Sequence, residues 1–537
     1  MDSSIIFPAI VSVGFSIWAA LTLYNYAARG TRKRVLFVSY LGFIVTFGCV
    51  VLISFDIENT LANRYRSFLY YAWRVFYWSL QLLSWVVYPF NMEKDRTGSW
   101  RKSLHRNAIW WGIYVVVGVV AVVYFFGVTS IGWSGMLAFA YAASNSWGLL
   151  LIIFFAGYGL VGVPQWLYLK SNPREYQEYL YVKAVGVEDS RLSAKYDLQD
   201  AYNESKKTLD LSHPDMLAVA SYLSSTYGQS TETATSSAPV AVPQDSSLAL
   251  RVALQTAKRS NSAWNMLVKE SLVYEDIYGT TGAAASQVMK IQAHRMYSMS
   301  MKVAAVGTAI LSALIMIGQA TIFIDVWWLS LLAVVFRAGV WNNPSILANP
   351  IGSFFIEAMI TIPPLWVFYC CFWSLTRLKL SSYYGLYPDH NTDTVSLMWA
   401  GQMLIRMSFA LVYNYLFVLR IPDHPSTEFE SMQGSMNVVP LLGNTVTEYF
   451  PLLIVVVAIL TLTKTYSKMV TMLGLNDLQF DVQTNPGDRM RLVEEGKKLI
   501  ARERANFLAQ KSSIHPATSV LGGSTNKFAI LTQDVDL

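Results

Sequence analysis

Blocks of about 20 consecutive apolar residues recur along this chain, and they constrain its fold more than any other feature, because a helix of that length crosses a bilayer. Soluble domains are roughly 25% charged, whereas this chain is 14% charged and 53% hydrophobic. We therefore predict an all-α polytopic membrane protein with about nine transmembrane helices. The predicted spans are residues 5–27, 35–54, 68–89, 107–128, 136–160, 301–324, 351–373, 395–419 and 450–465.

A tenth apolar block, residues 326–340, is shorter than the others. Its length of about 15 residues is more typical of a re-entrant or interfacial segment than of a span.

Basic residues in short loops predict the orientation, since such loops remain in the cytoplasm. Arg and Lys are concentrated in residues 29–34 and 94–106, whereas the loop between the second and third spans contains the acids Asp56 and Glu58. The N-terminus is then outside, and the long loop 169–300 and the C-terminal tail are cytoplasmic.

Four regions follow from these spans: helices 1–5 in residues 1–168, a cytoplasmic helical loop in 169–300, helices 6–9 in 301–470, and a cytoplasmic tail in 471–537. The loop has two amphipathic stretches separated by a linker rich in Ser, Thr, Ala and Pro at 224–247. We expect a helical hairpin whose helices pack on each other, with a partner-binding coiled coil as the alternative.

The tail contains an amphipathic helix at 489–510. Basic side chains on its polar face are suited to contact anionic lipid, and they are Lys497, Lys498, Arg502 and Arg504.

One motif matches a nucleotide-binding pattern, but its position in the chain argues against nucleotide binding. Residues 157–162 read G-x-G-x-x-G, but they close a membrane helix, whereas the dinucleotide site needs a preceding strand. Close helix packing through small residues explains the motif better. The sequence also shows no nucleophile–base constellation, so we expect no enzyme and no cofactor.

Charges inside the spans are the strongest pointers to function, because each costs about 2.5 to 3.5 kcal/mol at the bilayer centre unless it is paired or hydrated. Arg406 lies near the centre of the eighth span and Glu357 in the outer third of the seventh. They are expected to pair, either locking two helices or lining a polar cavity. Arg74 is nearer the end of the third span and is expected to snorkel or to pair with Asp56 or Glu58.

Two adjacent prolines, Pro363 and Pro364, fall in the middle of the seventh span. Each removes a backbone donor and so frees the carbonyls of Met359 and Ile360. Freed carbonyls at this depth must be buried in protein or face water. A packing kink and a broken-helix binding site like those of transporters are the alternatives.

The loop before the eighth span has an unusual composition. It combines aromatic, acidic and imidazole side chains, namely Tyr383, Tyr384, Pro388, Asp389, His390 and Asp393. One His and two Asp suggest a divalent cation, but their spacing matches no established site. Helix capping by Asn391 and Thr392, with Asp393 in the first turn, is the better interpretation.

These segments resemble the limb-region and lipocalin-interacting membrane receptor (LIMR, or LMBR-domain) family. The resemblance is carried by YYGLYPDHNTDTVSLMWAGQMLIRMSFALVYNYL at 383–416, GYGLVGVPQ at 157–165, SMQGSMNVVPLL at 431–442 with the following YFPLLIVV, and RLVEEGKKLIARER at 491–504. It is strongest to the second LMBR-domain-containing branch. That branch usually has a Pro-Pro pair after Arg406, where this chain has Met407 and Ser408.

The resemblance implies about nine helices, an outside N-terminus and a large cytoplasmic loop between the fifth and sixth helices. It also implies a receptor or signalling role, since family members are described as an endocytic lipocalin receptor, an escort in lysosomal cobalamin export and a regulator of G-protein-coupled receptor signalling.

We therefore expect a receptor-like or signalling scaffold in the plasma or endolysosomal membrane. It would contact the lipid bilayer and bind protein partners through its cytoplasmic loop and tail, with a small-molecule or lipocalin-like ligand possible and no nucleic acid. The alternative is a small-molecule transporter or transport escort that uses a cavity bounded by Glu357, Pro363, Pro364 and Arg406.

Overall fold

The computed structural model describes most of the chain. The described residues are 6–61, 67–127, 133–207, 209, 213–227, 244–278, 285–322, 324, 327–336, 349–377, 384–419, 426–433, 444–465 and 488–514. Within them the structure is all-helical, apart from an isolated bridge between Ala27 and Thr392.

The helices are numbered in chain order. The first six are α1 (Ile6–Tyr26), α2 (Lys33–Leu61), α3 (Ser67–Leu82), α4 (Tyr88–Thr97), α5 (Trp100–Gly127) and α6 (Trp133–Ser171). The long loop contains α7 (Pro173–Ser205), α8 (Pro214–Tyr227) and α9 (Gln244–Tyr278). The remainder are α10 (Ala285–Ala320), α11 (Leu331–Phe336), α12 (Pro350–Arg377), α13 (Thr394–Leu419), α14 (Glu428–Gln433), α15 (Asn444–Leu462) and α16 (Arg489–Ile514).

Seven of these helices are long and apolar enough to cross a membrane, which confirms the polytopic architecture for the described part of the chain. They are α1, α2, α5, α6, α10, α12 and α13. The predicted third span corresponds to α3 and α4, which are joined by a π-helical turn at Leu83–Val87. The ninth corresponds to α15, whose apolar segment is shorter. The total of nine and the orientation stay predictions.

The described part of block 326–340 is a 3₁₀ turn at Trp327–Leu329 and the six-residue helix α11. Neither is long enough to span a bilayer. The other residues of this block lie outside the described part of the chain.

Helices α6 and α13 form the centre of the bundle. Glycines of the 157–162 motif contact α12 and α15 so closely that an added Cβ would clash: at Gly159 with the backbone of Cys370, and at Gly157 with Val457. Gly148, earlier in α6, makes an equally close contact with the backbone of Arg406 in α13. The motif is therefore a helix-packing element, as the sequence predicts.

The loop and tail form one helical module of α7, α8, α9 and α16, a larger unit than the predicted two-helix hairpin. The apolar face of α16 inserts against α7 and α9, where Ile500 is fully buried beside Trp264. The predicted linker is shorter than expected, because residues 224–227 belong to α8 and 244–247 to α9. Residues 228–243 lie outside the described part.

Two basic residues of the tail face protein and not lipid, which corrects one expectation. Arg502 pairs with Glu188 at 3.1 Å, and Arg504 with Asp276 at 2.8 Å and with Glu275 at 3.3 Å. These arginines pair with protein because the acids of α7 and α9 lie beside the tail helix. The spacing of residues in the sequence does not show this proximity. Lys497 and Lys498 are exposed.

Candidate functional site

Arg406 binds a local irregularity of the neighbouring helix. At the π-helical turn the N–H of Tyr88 bonds the carbonyl of Leu83, which leaves the carbonyl of Ser84 without its helical partner. Gln402 donates to that carbonyl at 2.8 Å, and Nε of Arg406 donates to the Ser84 hydroxyl at 3.2 Å. The guanidinium also lies 5.3 Å from the centre of the Trp85 ring.

This arrangement corrects the predicted pair, since no ion pair joins Arg406 to Glu357 among the described residues. The Ser84 hydroxyl and the face of the Trp85 ring contact the cation instead.

Glu357 faces a second carboxyl. It is completely buried, its carboxyl lies beside that of Glu58, which is 2% exposed, and neither oxygen of the Glu357 carboxyl has a hydrogen-bond partner within the described residues. The hydroxyl of Ser353 donates to Oε1 of Glu58 at 2.8 Å. Because two neighbouring carboxyls buried away from water cannot both ionise, we expect one of them to hold a proton.

The sequence prediction missed this pair because it placed Glu58 in a loop outside the membrane. The structure continues α2 to Leu61, so Glu58 is inside the bundle. The signal that could have found it is the helical spacing of Ile53, Ile57 and Leu61, which continues beyond the predicted span.

Asp56, also assigned to that loop, is buried and holds the start of α14. Its carboxylate accepts from the backbone N–H of Phe429 at 2.9 Å and of Glu428 at 3.2 Å, and from the indole of Trp73 at 2.8 Å. An acid at the first N–H groups of a helix satisfies donors that have no intrahelical partner.

Arg74 forms no ion pair with either acid within the described residues, and snorkelling stays a prediction. It is exposed, and its guanidinium lies 4.0 Å from the centre of the Tyr70 ring.

The double proline is built into a continuous helix. Tyr415 of α13 donates its hydroxyl to the freed carbonyl of Ile360 at 2.7 Å, so this carbonyl is buried in protein. Pro363 and Pro364 line a cavity of about 20 Å³, which holds about one water molecule. The lining of this cavity also includes Asn414 but neither Glu357 nor Arg406, so this cavity does not join the four predicted residues.

The loop before α13 is a structural junction between the membrane bundle and the end of α1. No group of three or more potential metal ligands occurs within the described residues. Asp389 and His390 both adopt a left-handed backbone conformation (φ 58°), which lets the loop run beside the end of α1. There the N–H of His390 donates to the carbonyl of Asn25 at 2.8 Å, and that of Thr392 to Tyr26 at 3.0 Å.

The residue that caps α13 is Asp393, whereas the sequence predicted Asn391 and Thr392 as caps. Asp393 is the N-cap, with Oδ2 accepting from the N–H of Ser396 at 3.3 Å, whereas the hydroxyl of Thr392 closes the loop onto Tyr387. Pro388 accepts from the amide of Asn391 at 3.1 Å, and the Tyr384 ring packs on Trp399. Tyr383 lies outside the described residues.

The same loop anchors the helical module, through a set of contacts that we call the clasp: Arg259 and Ser262 of α9 with Tyr387, Asp389, Asn391 and Asp393 of the loop. Arg259 is 6% exposed and forms an ion pair with Asp393. Its guanidinium lies 4.6 Å from the centre of the Tyr387 ring, and Ser262 donates to Asp389 at 3.1 Å. Burial raises the pKa of the Tyr387 phenol, and Arg259 opposes that shift.

Within the module, two buried phenols donate to acids of α9. Tyr176 donates to Glu270 and Tyr181 to Glu275, each at 2.7 Å. Burial, followed by the neighbouring carboxylate, raises the pKa of both phenols. Both therefore remain neutral donors at physiological pH.

Comparison with known proteins places this arrangement in a family. The model of the LMBR1-like membrane proteins matches residues 4–466. This chain belongs to the LMBR1-like membrane protein family. The match covers the spans, the clasp and the helical module apart from its tail helix, which confirms the resemblance seen in the sequence.

Several curated relatives are similar over most of the chain. The "LMBR1 domain-containing protein 2 homolog A" of Dictyostelium discoideum is 26% identical over 84% of this chain and 64% of its own length. The Drosophila melanogaster "LMBR1 domain-containing protein 2 homolog" is 26% identical over 84% of this chain and 72% of its own. The human "G-protein coupled receptor-associated protein LMBRD2" is 24% identical over 80% and 68%. The chain thus spans about two thirds of their length, and no solved structure matches it.

Proposed function

We propose that this LMBR1-like protein is a membrane scaffold that associates with a G-protein-coupled receptor and presents its helical module to the receptor's cytoplasmic side. The relatives in human, chicken and Xenopus laevis are named as receptor-associated proteins, which supports such a partner. In this role the protein resides in the plasma membrane or in the endolysosomal membranes through which receptors are internalised.

The observation that carries the proposal is the clasp. A scaffold must hold its interaction surface in a defined position relative to the membrane, and the buried pair of Arg259 and Asp393 fixes α9 to the loop that joins α12 to α13. On the module, Leu192 and Tyr196 lie one turn apart on α7 and are 40% and 60% exposed. An exposed apolar and aromatic pair of this kind suits contact with a protein partner.

The transporter alternative gains no support from the cavity beside Pro363 and Pro364. Its volume of about 20 Å³ is far below the roughly 300 Å³ of a small-molecule pocket.

The test is proximity energy transfer in living cells between the full chain and each member of a panel of co-expressed receptors. We expect transfer above that of an unrelated multi-pass protein for at least one receptor. Leu192→Ser with Tyr196→Ser should reduce it several-fold without changing surface delivery, whereas Leu217→Ser, on the exposed face of α8, should not. Transfer no higher than that of the unrelated protein would contradict receptor association, and an undiminished signal in the double variant would contradict this contact surface.

A further inference from the structure

A cavity of about 340 Å³ lies where the module meets the membrane bundle. This volume is within the range of small-molecule sites. Its lining comes from four parts of the chain: the α1–α2 turn, the end of α4, the first half of α9, and the junction before α13. The charged residues among them are Arg29, Asp95, Arg96, Arg251, Arg259 and Asp393.

The charge in this cavity is unbalanced. Both acids are already engaged, Asp393 with Arg259 and Asp95 with Arg32 at 3.9 Å. Of the four arginines, Arg251 pairs with Asp215 at 2.9 Å, whereas Arg29 and Arg96 have no ion pair within the described residues. Arg96 donates to the hydroxyl of Tyr384 at 3.5 Å. Two guanidinium groups are therefore left to face the cavity without a counter-charge.

The backbone around Arg29 is held in place. The N–H of Ala28 donates to the carbonyl of Thr392 at 2.9 Å, and the N–H and hydroxyl of Thr31 both donate to the carbonyl of Ala28. Between them Gly30 has a φ of 97°, which only glycine adopts readily. The turn thus fixes the backbone of Arg29, whose side chain is exposed, and this reduces the part of the entropic cost of binding that comes from the backbone.

Arg96 is positioned in a similar way. It lies in the last turn of α4, which is closed by the left-handed Gly98 bonding back to the carbonyl of Lys94 at 3.0 Å. Arg29 follows the apolar helix α1 by only three residues, so the cavity lies beside the end of a predicted span, where lipid headgroups are expected.

We propose that this cavity binds a phosphate monoester, carried either by an inositol lipid headgroup or by a free phosphorylated molecule. Planar guanidinium forks match phosphate oxygens with paired hydrogen bonds. A monoester brings up to two negative charges at neutral pH, which equals the charge that Arg29 and Arg96 leave unbalanced. The inference does not depend on receptor association.

The test uses the purified full chain in detergent, with binding measured by native mass spectrometry and by calorimetry. The probes are a short-chain phosphatidylinositol monophosphate, the short-chain phosphatidylinositol that lacks the monoester, and soluble inositol bisphosphate. We expect the monophosphate lipid to bind at least about tenfold more tightly than its unphosphorylated counterpart. Inositol bisphosphate binding as tightly as the lipid would identify a free phosphorylated ligand, and tighter lipid binding would identify a headgroup site.

Variants separate this cavity from general attraction to anions. Arg29→Gln and Arg96→Gln should each weaken monophosphate binding about tenfold, whereas Arg101→Gln, an exposed residue on α5 outside the cavity, should leave it unchanged. Gln255→Trp, which fills the cavity without removing a charge, should also abolish binding, and a melting curve confirms that each variant is folded. Equal affinity for the two lipids, or equal losses in Arg101→Gln and Arg29→Gln, would overturn the proposal.

Discussion

The two ends of the membrane bundle differ in how their buried charged residues are paired. At the end that holds the module, Arg259 and Asp393 form a buried pair of opposite sign, supported by the Tyr387 ring. Glu58 lies 25 residues along α2 from Lys33, roughly 37 Å away at 1.5 Å per residue, and contacts another carboxyl, that of Glu357.

The difference concerns what satisfies each charge. A buried ion pair depends on both partners, since loss of one leaves the other charge uncompensated. A carboxyl pair depends on a shared proton, since two adjacent carboxylates cannot both ionise away from water. The first end should therefore be sensitive to side-chain removal, and the second tolerant of replacement by a neutral isostere.

Arg259→Ala is expected to have the largest effect. It leaves Asp393 partly buried without a counter-charge, and we expect a loss of about 3 kcal/mol in the free energy of docking of the module. Hydrogen exchange on the full chain should show faster exchange in α9 and at residues 384–393. Arg489→Ala, which removes an exposed pair with Glu178, provides the control and should cost below about 1 kcal/mol. Equal protection in the two variants would refute the clasp as the main anchor.

Asp56→Ala is expected to have an intermediate effect, at the same end as the carboxyl pair. It removes an acceptor from Phe429, Glu428 and Trp73, which should destabilise the packing of α14 by about 2 kcal/mol. Asp56→Asn keeps one acceptor oxygen and should cost less than Asp56→Ala. Thermal unfolding, monitored by the fluorescence of the buried Trp73 region, provides the measurement; identical melting of both variants and the parent would show that these bonds add no stability.

Glu357→Gln is expected to have the smallest effect, below about 1 kcal/mol. The amide has nearly the same shape and donates to Glu58 without needing a proton. Infrared spectroscopy should show the C=O stretch of a protonated carboxyl in the parent protein and its loss in Glu357→Gln. If that band is absent from the parent, or if Glu357→Gln unfolds the protein as readily as Arg259→Ala does, the shared-proton account is wrong.

Much of the fold was predictable from local pattern. Apolar blocks predicted the spans, small residues at 157–162 predicted close packing, and the double proline predicted a freed carbonyl that Tyr415 then satisfies. Each depends on periodicity or backbone chemistry within a few residues. The candidate site was less predictable: Arg406 was identified as needing a partner, but the partner is an irregular turn in α3–α4 that hydropathy does not show.

The sequence by itself determined that this chain is a polytopic membrane protein with a helical loop between two sets of apolar helices, because the hydrophobic effect and backbone hydrogen bonding act on contiguous residues. Only the tertiary structure decided which charges meet. Asp393 and Arg259 are 134 residues apart in the sequence. Glu58 and Glu357, which lie side by side in the structure, are separated in the sequence by most of the membrane helices. Such pairs depend on the crossing of distant helices. The sequence therefore showed that Arg406 and Glu357 need partners, whereas only the fold decided which residues lie beside them.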